Sequence, residues 1–265
     1  RIISAPDIRS VYEIPLNFEK EGLTDAILRL AGFRPKKRDL AGWKKLARTI
    51  RTVTKPVRIG IVGKYFGTGD FVLADSYISV IEAVKHASWT LGRKPEITWL
   101  DAEQYEKQPA ALKELKKYDG IIVPGGFGNR GVEGKIATIG FCRKNKIPFL
   151  GLCYGLQMAV VEFSRNVCGL KGAHTTEVDP KTLYPVIDTM PEQAINIREK
   201  RLGGSMRLGA YTCRLRKGTA AFRAYKYGTV SERHRHRYEV NNDFRQELEK
   251  AGMVFSGVNP ERNLI

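Results

Sequence analysis

The spacing of apolar residues changes near residue 56. Ahead of it, residues 23–30 and 40–50 place their apolar side chains at helical intervals, the first run closing at Gly32 and the residues before it reading as loop. Lys55-Pro56 breaks that pattern, and short apolar runs then alternate with amphipathic stretches. Residues 57–62 read as a strand. The next helix carries Ile78, Ile81 and Val84 on one face, with Asp75 or Ser76 as its cap. Strand 96–100 and helix 110–117 follow. Gly120-Ile121-Ile122-Val123 is apolar throughout, as a parallel strand buried on both faces should be. A glycine-rich loop leads to a helix over 135–144, a strand over 148–152 and a helix over 156–163. The remainder is less regular, apart from a helix over 242–251. This alternation predicts an α/β fold: a doubly wound, mostly parallel sheet with helices on both faces, preceded by a short helical segment. Ligands are expected at the carboxyl ends of its strands.

Composition narrows the possibilities. With 42% hydrophobic residues in 265, the chain can bury a full core. It has no apolar run near the roughly 18 residues of a membrane span and no leader-like start, so no membrane partner is expected. Cys142, Cys153, Cys168 and Cys213 are scattered without C-x-x-C spacing, which suits a reducing, cytoplasmic setting and argues against zinc. Lys and Arg number 45 against 28 Asp and Glu, a net +17. One reading is a nucleic-acid or nucleotide partner, the other a Lys/Arg-rich surface. The basic residues do not interleave with aromatics on one stripe, so no nucleic-acid partner is expected.

Gly151-Leu152-Cys153-Tyr154-Gly155 lies between an apolar strand and a helix, the arrangement of a nucleophile elbow with cysteine in place of serine. A sharp strand-to-helix turn lifts the nucleophile above the sheet edge, and glycines on either side relieve crowding. The helix N-terminus favours a thiolate at Cys153, and the Tyr154 amide is placed to stabilise an oxyanion. A buried cysteine at a glycine-rich turn is the plainer alternative. Pro124-Gly125-Gly126-Phe127-Gly128-Asn129-Arg130-Gly131, directly after the third strand, can bring amides to the same crevice. Elbow and loop together suggest acyl transfer, with Gly126 and Tyr154 forming the oxyanion hole. Two other motifs fail. Residues 60–64 resemble a phosphate loop, but Arg58 stands where its first glycine should be and Tyr65 where Ser or Thr belongs. In the run from Glu232 to Glu239, histidines alternate with arginines, which would repel a metal, so no metal site is expected.

Gly-x-Cys-x-Gly-x-Gln after a strand, with Pro-Gly-Gly upstream, resembles the class I glutamine amidotransferases. Further runs resemble the CTP synthases among them: Ser4-Ala5-Pro6-Asp7, Tyr12-Glu13-Ile14-Pro15-Leu16, Asp75-Ser76-Tyr77, Gly131-Val132-Glu133-Gly134-Lys135, Gly203 to Gly209, and Glu232 to Asn241. The resemblance implies that Cys153 forms a glutamyl thioester and releases ammonia, which an amidoligase domain uses with ATP and Mg2+ to aminate UTP. It further implies that Gly126, Tyr154, Gly155, Leu156, Gln157, Glu177 and Arg237 bind glutamine. Glu177 would hold the substrate's ammonium and Arg237 its carboxylate. GTP as an allosteric ligand and a homotetramer are implied too. By the same likeness, residues 1–54 correspond to the tail of the amidoligase domain and a linker, and 55–265 to the amidotransferase domain. No cofactor is expected within residues 1–265.

Two departures stand out. The family's Cys-Leu-Gly-Met-Gln is here Cys153-Tyr154-Gly155-Leu156-Gln157. The family's base lies in a late His-Pro-Glu segment, whereas His86, His174, His234 and His236 are the histidines here and none precedes Pro-Glu. Half of a Cys-His-Glu triad is therefore expected in residues 1–265, which alone should be inactive. An inactive or regulatory module of the same fold, or another class I amidotransferase, are the alternative readings.

Overall fold

The computed structural model describes residues 2–4, 6–34, 37–64, 67–68, 71–72, 77–189 and 207–265. Ala5, Asp75, Ser76 and residues 203–206 of the matched runs lie outside them. Two compact units form, Arg1–Val57 with Ser79–Glu96, and Arg58–Ile78 with Ile97–Ile265.

The first unit is helical. A 3₁₀ turn (Val11–Glu13) leads into α1 (Ile14–Lys20), where a loop was expected. Pro15 sits in the first turn of α1, where a missing N–H breaks no helical bond. Gly22, at φ 72°, turns the chain into α2 (Leu23–Leu30); α3 (Ala41–Thr52) and α4 (Ile78–Thr90) follow. The Tyr12 ring meets Trp89 edge-on at 5.2 Å, and its hydroxyl contacts the side chains of Glu82 and His86. Burial and the Glu82 carboxylate push that hydroxyl up to about 12. Arg38 bridges Glu19 at 2.6 Å and Asp25 at 2.7 Å.

The break at Lys55-Pro56 becomes the start of β1 (Pro56–Gly63), so the phosphate-loop look-alike is a strand end. A two-stranded hairpin, β2 (Gly67–Thr68) and β3 (Phe71–Val72), comes next, then β4 (Lys94–Asp101), β5 (Gly120–Val123) and β6 (Phe149–Gly151). The main sheet runs β4-β1-β5-β6, with β1, β5 and β6 parallel. All four β5 residues are buried, as its unbroken apolar run requires.

Asp101 caps a helix absent from the sequence reading, α5 (Ala102–Lys107), by accepting the Glu103 N–H at 2.9 Å. Residues 109–117 wind as a 3₁₀ rather than an α-helix; the buried Leu112 and Leu115 are three apart, the repeat that a three-residue turn stacks on one side. α6 (Val132–Asn145) and α7 (Tyr154–Asn166) pack together, pinned where the buried Glu162 takes Arg143 at 2.7 Å. Val62, Ile121, Val123, Ile136, Ile139, Met158 and Val161 form the centre of the core.

The stretch that looked irregular holds two further sheets. β7 (His174–Thr175), β8 (Pro185–Thr189) and β11 (Tyr238–Val240) form one, ordered β11-β8-β7. In the other, β9 (Arg207–Leu215) pairs antiparallel with β10 (Thr229–His236) and β12 (Gly257–Val258). Along β10, Val230, Glu232, His234 and His236 are half-buried while the residues between them are exposed. A strand this polar on its inner face gives no apolar alternation to read.

Candidate active site

β6 ends at Gly151 and α7 begins at Tyr154, so the chain turns from strand to helix within two residues. Leu152 is tied to β5 through its N–H on the Val123 carbonyl at 2.9 Å, and the Gly155 N–H closes the turn on Leu152 O at 2.9 Å. Cys153 occupies φ 52°, ψ −105°, outside the regions an L-residue prefers. A Cβ at Gly155 would lie 2.0 Å from Val123 O, and one at Gly151 would lie 2.6 Å from the Gly155 carbonyl atoms. Both positions therefore require glycine.

The loop after β5 passes beside this turn. A Cβ at Gly125 would sit 3.5 Å from Cys153 Cβ, and one at Gly126 would sit 4.0 Å from Tyr154 Cδ1. Side chains from separate segments hold the loop. Tyr77 donates to Gly125 O at 3.3 Å, Lys64 to Phe127 O, and Tyr154 to Gly128 O at 2.6 Å, while Glu177 Oε1 accepts the Gly128 N–H at 2.8 Å. Glu177, expected to face a substrate ammonium, thus also anchors the loop. Among these anchors, Tyr77 stood in the sequence only as part of a matched run and Lys64 only in the rejected phosphate-loop look-alike, so neither was expected at the site.

Cys153, Leu156 and Gln157 line a cavity of about 410 Å3 together with His234, His236 and Glu239. Gln157 is buried; its Nε2 donates to Tyr238 O at 3.1 Å, and among the described residues its Oε1 has no partner. Arg237 lies between β10 and β11, and both it and Glu177 act electrostatically on Tyr238 in the cavity wall. His234 Nδ1 and His236 Nε2 are 3.0 Å apart. The pleat of β10 leaves Arg233 and Arg235 exposed between the half-buried histidines, and all four side chains line the same cavity.

The electrostatics of the thiol differ from the expectation at a helix start. The Tyr154 N–H bonds the Cys153 sulfur and favours the thiolate, but crowding by the protein pushes the thiol above its ordinary range, and the carboxylates of Glu177 and Glu239 add to that rise. A resting thiol that must lose its proton as it attacks is the result. Glu177→Gln should therefore lower the midpoint of Cys153 alkylation, because it deletes a negative charge while keeping an acceptor for Gly128. The pH dependence of iodoacetamide labelling at Cys153, followed by peptide mass spectrometry, measures this; a midpoint that stays or rises would contradict the assigned cause.

A cysteine on a strained strand–helix turn, bordered by an anchored glycine loop and a cavity with apolar and polar side chains, is an arrangement suited to acyl transfer. Residues 72–265 match the family described as glutamine amidotransferase class-I. The chain belongs to the class I glutamine amidotransferases. Among curated relatives, this amidotransferase is 51% identical over 257 residues to the CTP synthase of Pyrococcus abyssi, covering 97% of this chain and 46% of that one. It is 45% identical over 265 residues to the CTP synthase of Bacillus subtilis, covering 100% of this chain and 48% of that one. The chain thus spans about half the length of these relatives. A solved structure of the Trypanosoma brucei CTPS glutaminase domain with bound acivicin matches at TM-score 0.68 and 39% identity, over 77% of this chain and 75% of that one. These likenesses agree with the parallel-centred α/β architecture. No helix among the described residues is long and apolar enough to cross a membrane.

Proposed function

We propose that Cys153 is the nucleophile that hydrolyses glutamine, and that the ammonia released serves CTP synthesis in the whole protein. The sulfur attacks the carboxamide carbon. An S–C bond forms, the C–N bond breaks, and the nitrogen leaves as ammonia with the proton that the thiol gives up; water then cleaves the thioester to glutamate. Gly126 and Tyr154 supply the amides that face the developing oxyanion. Gln157 offers its unpartnered Oε1 to the substrate, Glu177 its carboxylate to the ammonium and Arg237 its guanidinium to the carboxylate, with Gly155 and Leu156 shaping the turn beneath them. The general base is assigned to no residue within 1–265, which contain no His-Pro-Glu run.

The observation that carries this reading is the Cys153 turn itself, strained and bordered by two glycines that admit no Cβ. Near-half identity to CTP synthases supports the rest: ATP and Mg2+ in an amidoligase domain, UTP as acceptor, GTP as effector, a homotetramer, and a cytoplasmic location.

The intact protein tests the reading. With ATP, Mg2+ and UTP, it should form CTP from either glutamine or ammonia. Cys153→Ala should keep the ammonia reaction and lose the glutamine one. Acivicin, bound in the trypanosomal relative, should compete with glutamine here. CTP formation from glutamine by Cys153→Ala would refute the assignment.

A further inference from the structure

Tyr154 stands where the related run has leucine, and its side chain reaches away from the sulfur that its own amide faces. It is 1% exposed. Its hydroxyl donates to Gly128 O at 2.6 Å, and the ammonium of Lys135 lies 5.1 Å from its ring centre. Lys135, in the opening turns of α6, is itself only 2% exposed. Burial pulls that ammonium down to about 8, and Lys64 and Arg130 pull the same way against Glu103. The tyrosine ring face favours this crowded cation, as does the charge of Glu103.

The Gly128 peptide is thereby gripped from two directions, its N–H by Glu177 and, through its carbonyl, by Tyr154. Gly126 lies two residues away. The amides at 126 and 154 belong to segments joined only through α6 and β6, so their relative placement depends on contacts between segments. Tyr154 supplies one such contact from within the nucleophile turn. An oxyanion needs both donors within a few tenths of an ångström of their places, and rates fall steeply with misplacement.

We propose that the Tyr154 side chain, held between Gly128 O and Lys135, is a positioning residue that keeps the Gly126 and Tyr154 amides in register for the oxyanion. The proposal rests on the reading that Cys153 transfers an acyl group from glutamine. The clamp acts on a step that passes through a tetrahedral oxyanion and leaves untouched one that does not. Alkylation of Cys153 by iodoacetamide forms an S–C bond at a saturated carbon, expels iodide and develops no oxyanion.

Tyr154→Phe in the intact protein separates the two. This variant keeps the ring and its cation contact and removes one hydroxyl. Glutaminase kcat should fall about tenfold or more, a fraction of the 10²–10³ typical of deleting an oxyanion donor outright. KM, and the iodoacetamide rate at a pH high enough to ionise the thiol fully, should each stay within about twofold of the parent, since neither depends on the oxyanion. Lys135→Met, which keeps volume and removes the cation, should show the same split at smaller size. An unchanged kcat in Tyr154→Phe would overturn the clamp, and so would kcat and alkylation falling by a common factor, the sign of general loosening. A parent protein that hydrolyses no glutamine would overturn the acyl-transfer reading and this inference with it. Parent hydrolysis matched by the phenylalanine variant would overturn the inference alone.

Discussion

Gly155→Ala is expected to destroy glutamine hydrolysis and to lower stability by about 3 kcal/mol, the upper end of the usual cost of overpacking. The added Cβ would stand 2.0 Å from Val123 O and 2.8 Å from Val123 C, inside the contact distance of any real pair. Neither partner can yield easily. Val123 is fully buried at the end of β5, and its carbonyl already accepts the Leu152 N–H at 2.9 Å. The start of α7 would have to withdraw by about an ångström to make room, and it carries Cys153 at its N-cap. A displacement of that size costs on the order of 100-fold in rate even where the fold survives. In thermal unfolding the midpoint should drop by roughly 10 °C for a unit of this size. Gly228→Ala is the matched control, because a Cβ there meets nothing within 4 Å. Equal stability and activity in the two variants would mean that the turn is not built as described.

The same turn was legible in the sequence because its requirements are local. An apolar strand, two glycines around a cysteine and a following helix need no distant partner to be recognised, and β5 announced itself by four consecutive apolar-compatible residues. Other features depend on what the chain meets elsewhere. β10 half-buries Glu232, His234 and His236 beside Val230 on its inner side, so both of its faces are largely polar and it reads as a cluster of titratable groups. α5 spans only six residues, too short to show a helical period. Glu177 and Arg237 had no local signal, and the likeness to amidotransferases brought them forward. Lys135 figured in the sequence only as the end of a matched run and the start of a helix. Its burial follows from Gly134 beside it, where a Cβ would lie 1.8 Å from Ala102 O and where α6 therefore lies against α5. The upward push on the Cys153 thiol was equally hidden, since the helix start was visible in the sequence but the carboxylates of Glu177 and Glu239 come from remote segments.

Strain at Cys153, the proposed nucleophile, leads to a second large effect, in which activity and stability should move in opposite directions. Cys153→Gly should abolish glutamine hydrolysis, with a fall of about 10⁴ or more as for other lost nucleophiles, and yet make the protein more stable. At φ 52°, ψ −105°, a residue bearing a Cβ costs about 1–3 kcal/mol, which glycine does not incur. Against this stands the greater freedom of glycine in the unfolded chain, worth about 0.5–1 kcal/mol. The balance favours glycine by about 1 kcal/mol, or roughly 2–4 °C in the unfolding midpoint. Cys153→Ala is the informative comparison. It loses the same sulfur and the same chemistry but keeps the Cβ, so the difference between the two variants isolates the backbone term from any contribution of the thiol. Differential scanning calorimetry of both, beside a glutaminase assay, gives the answer. If alanine and glycine unfold together, the strain is no larger than the about 0.5–1 kcal/mol that glycine's freedom in the unfolded chain offsets. If glycine unfolds later and both are inert, the protein keeps its nucleophile in a conformation that costs it stability, because that conformation is what lifts the sulfur out of the turn towards the substrate.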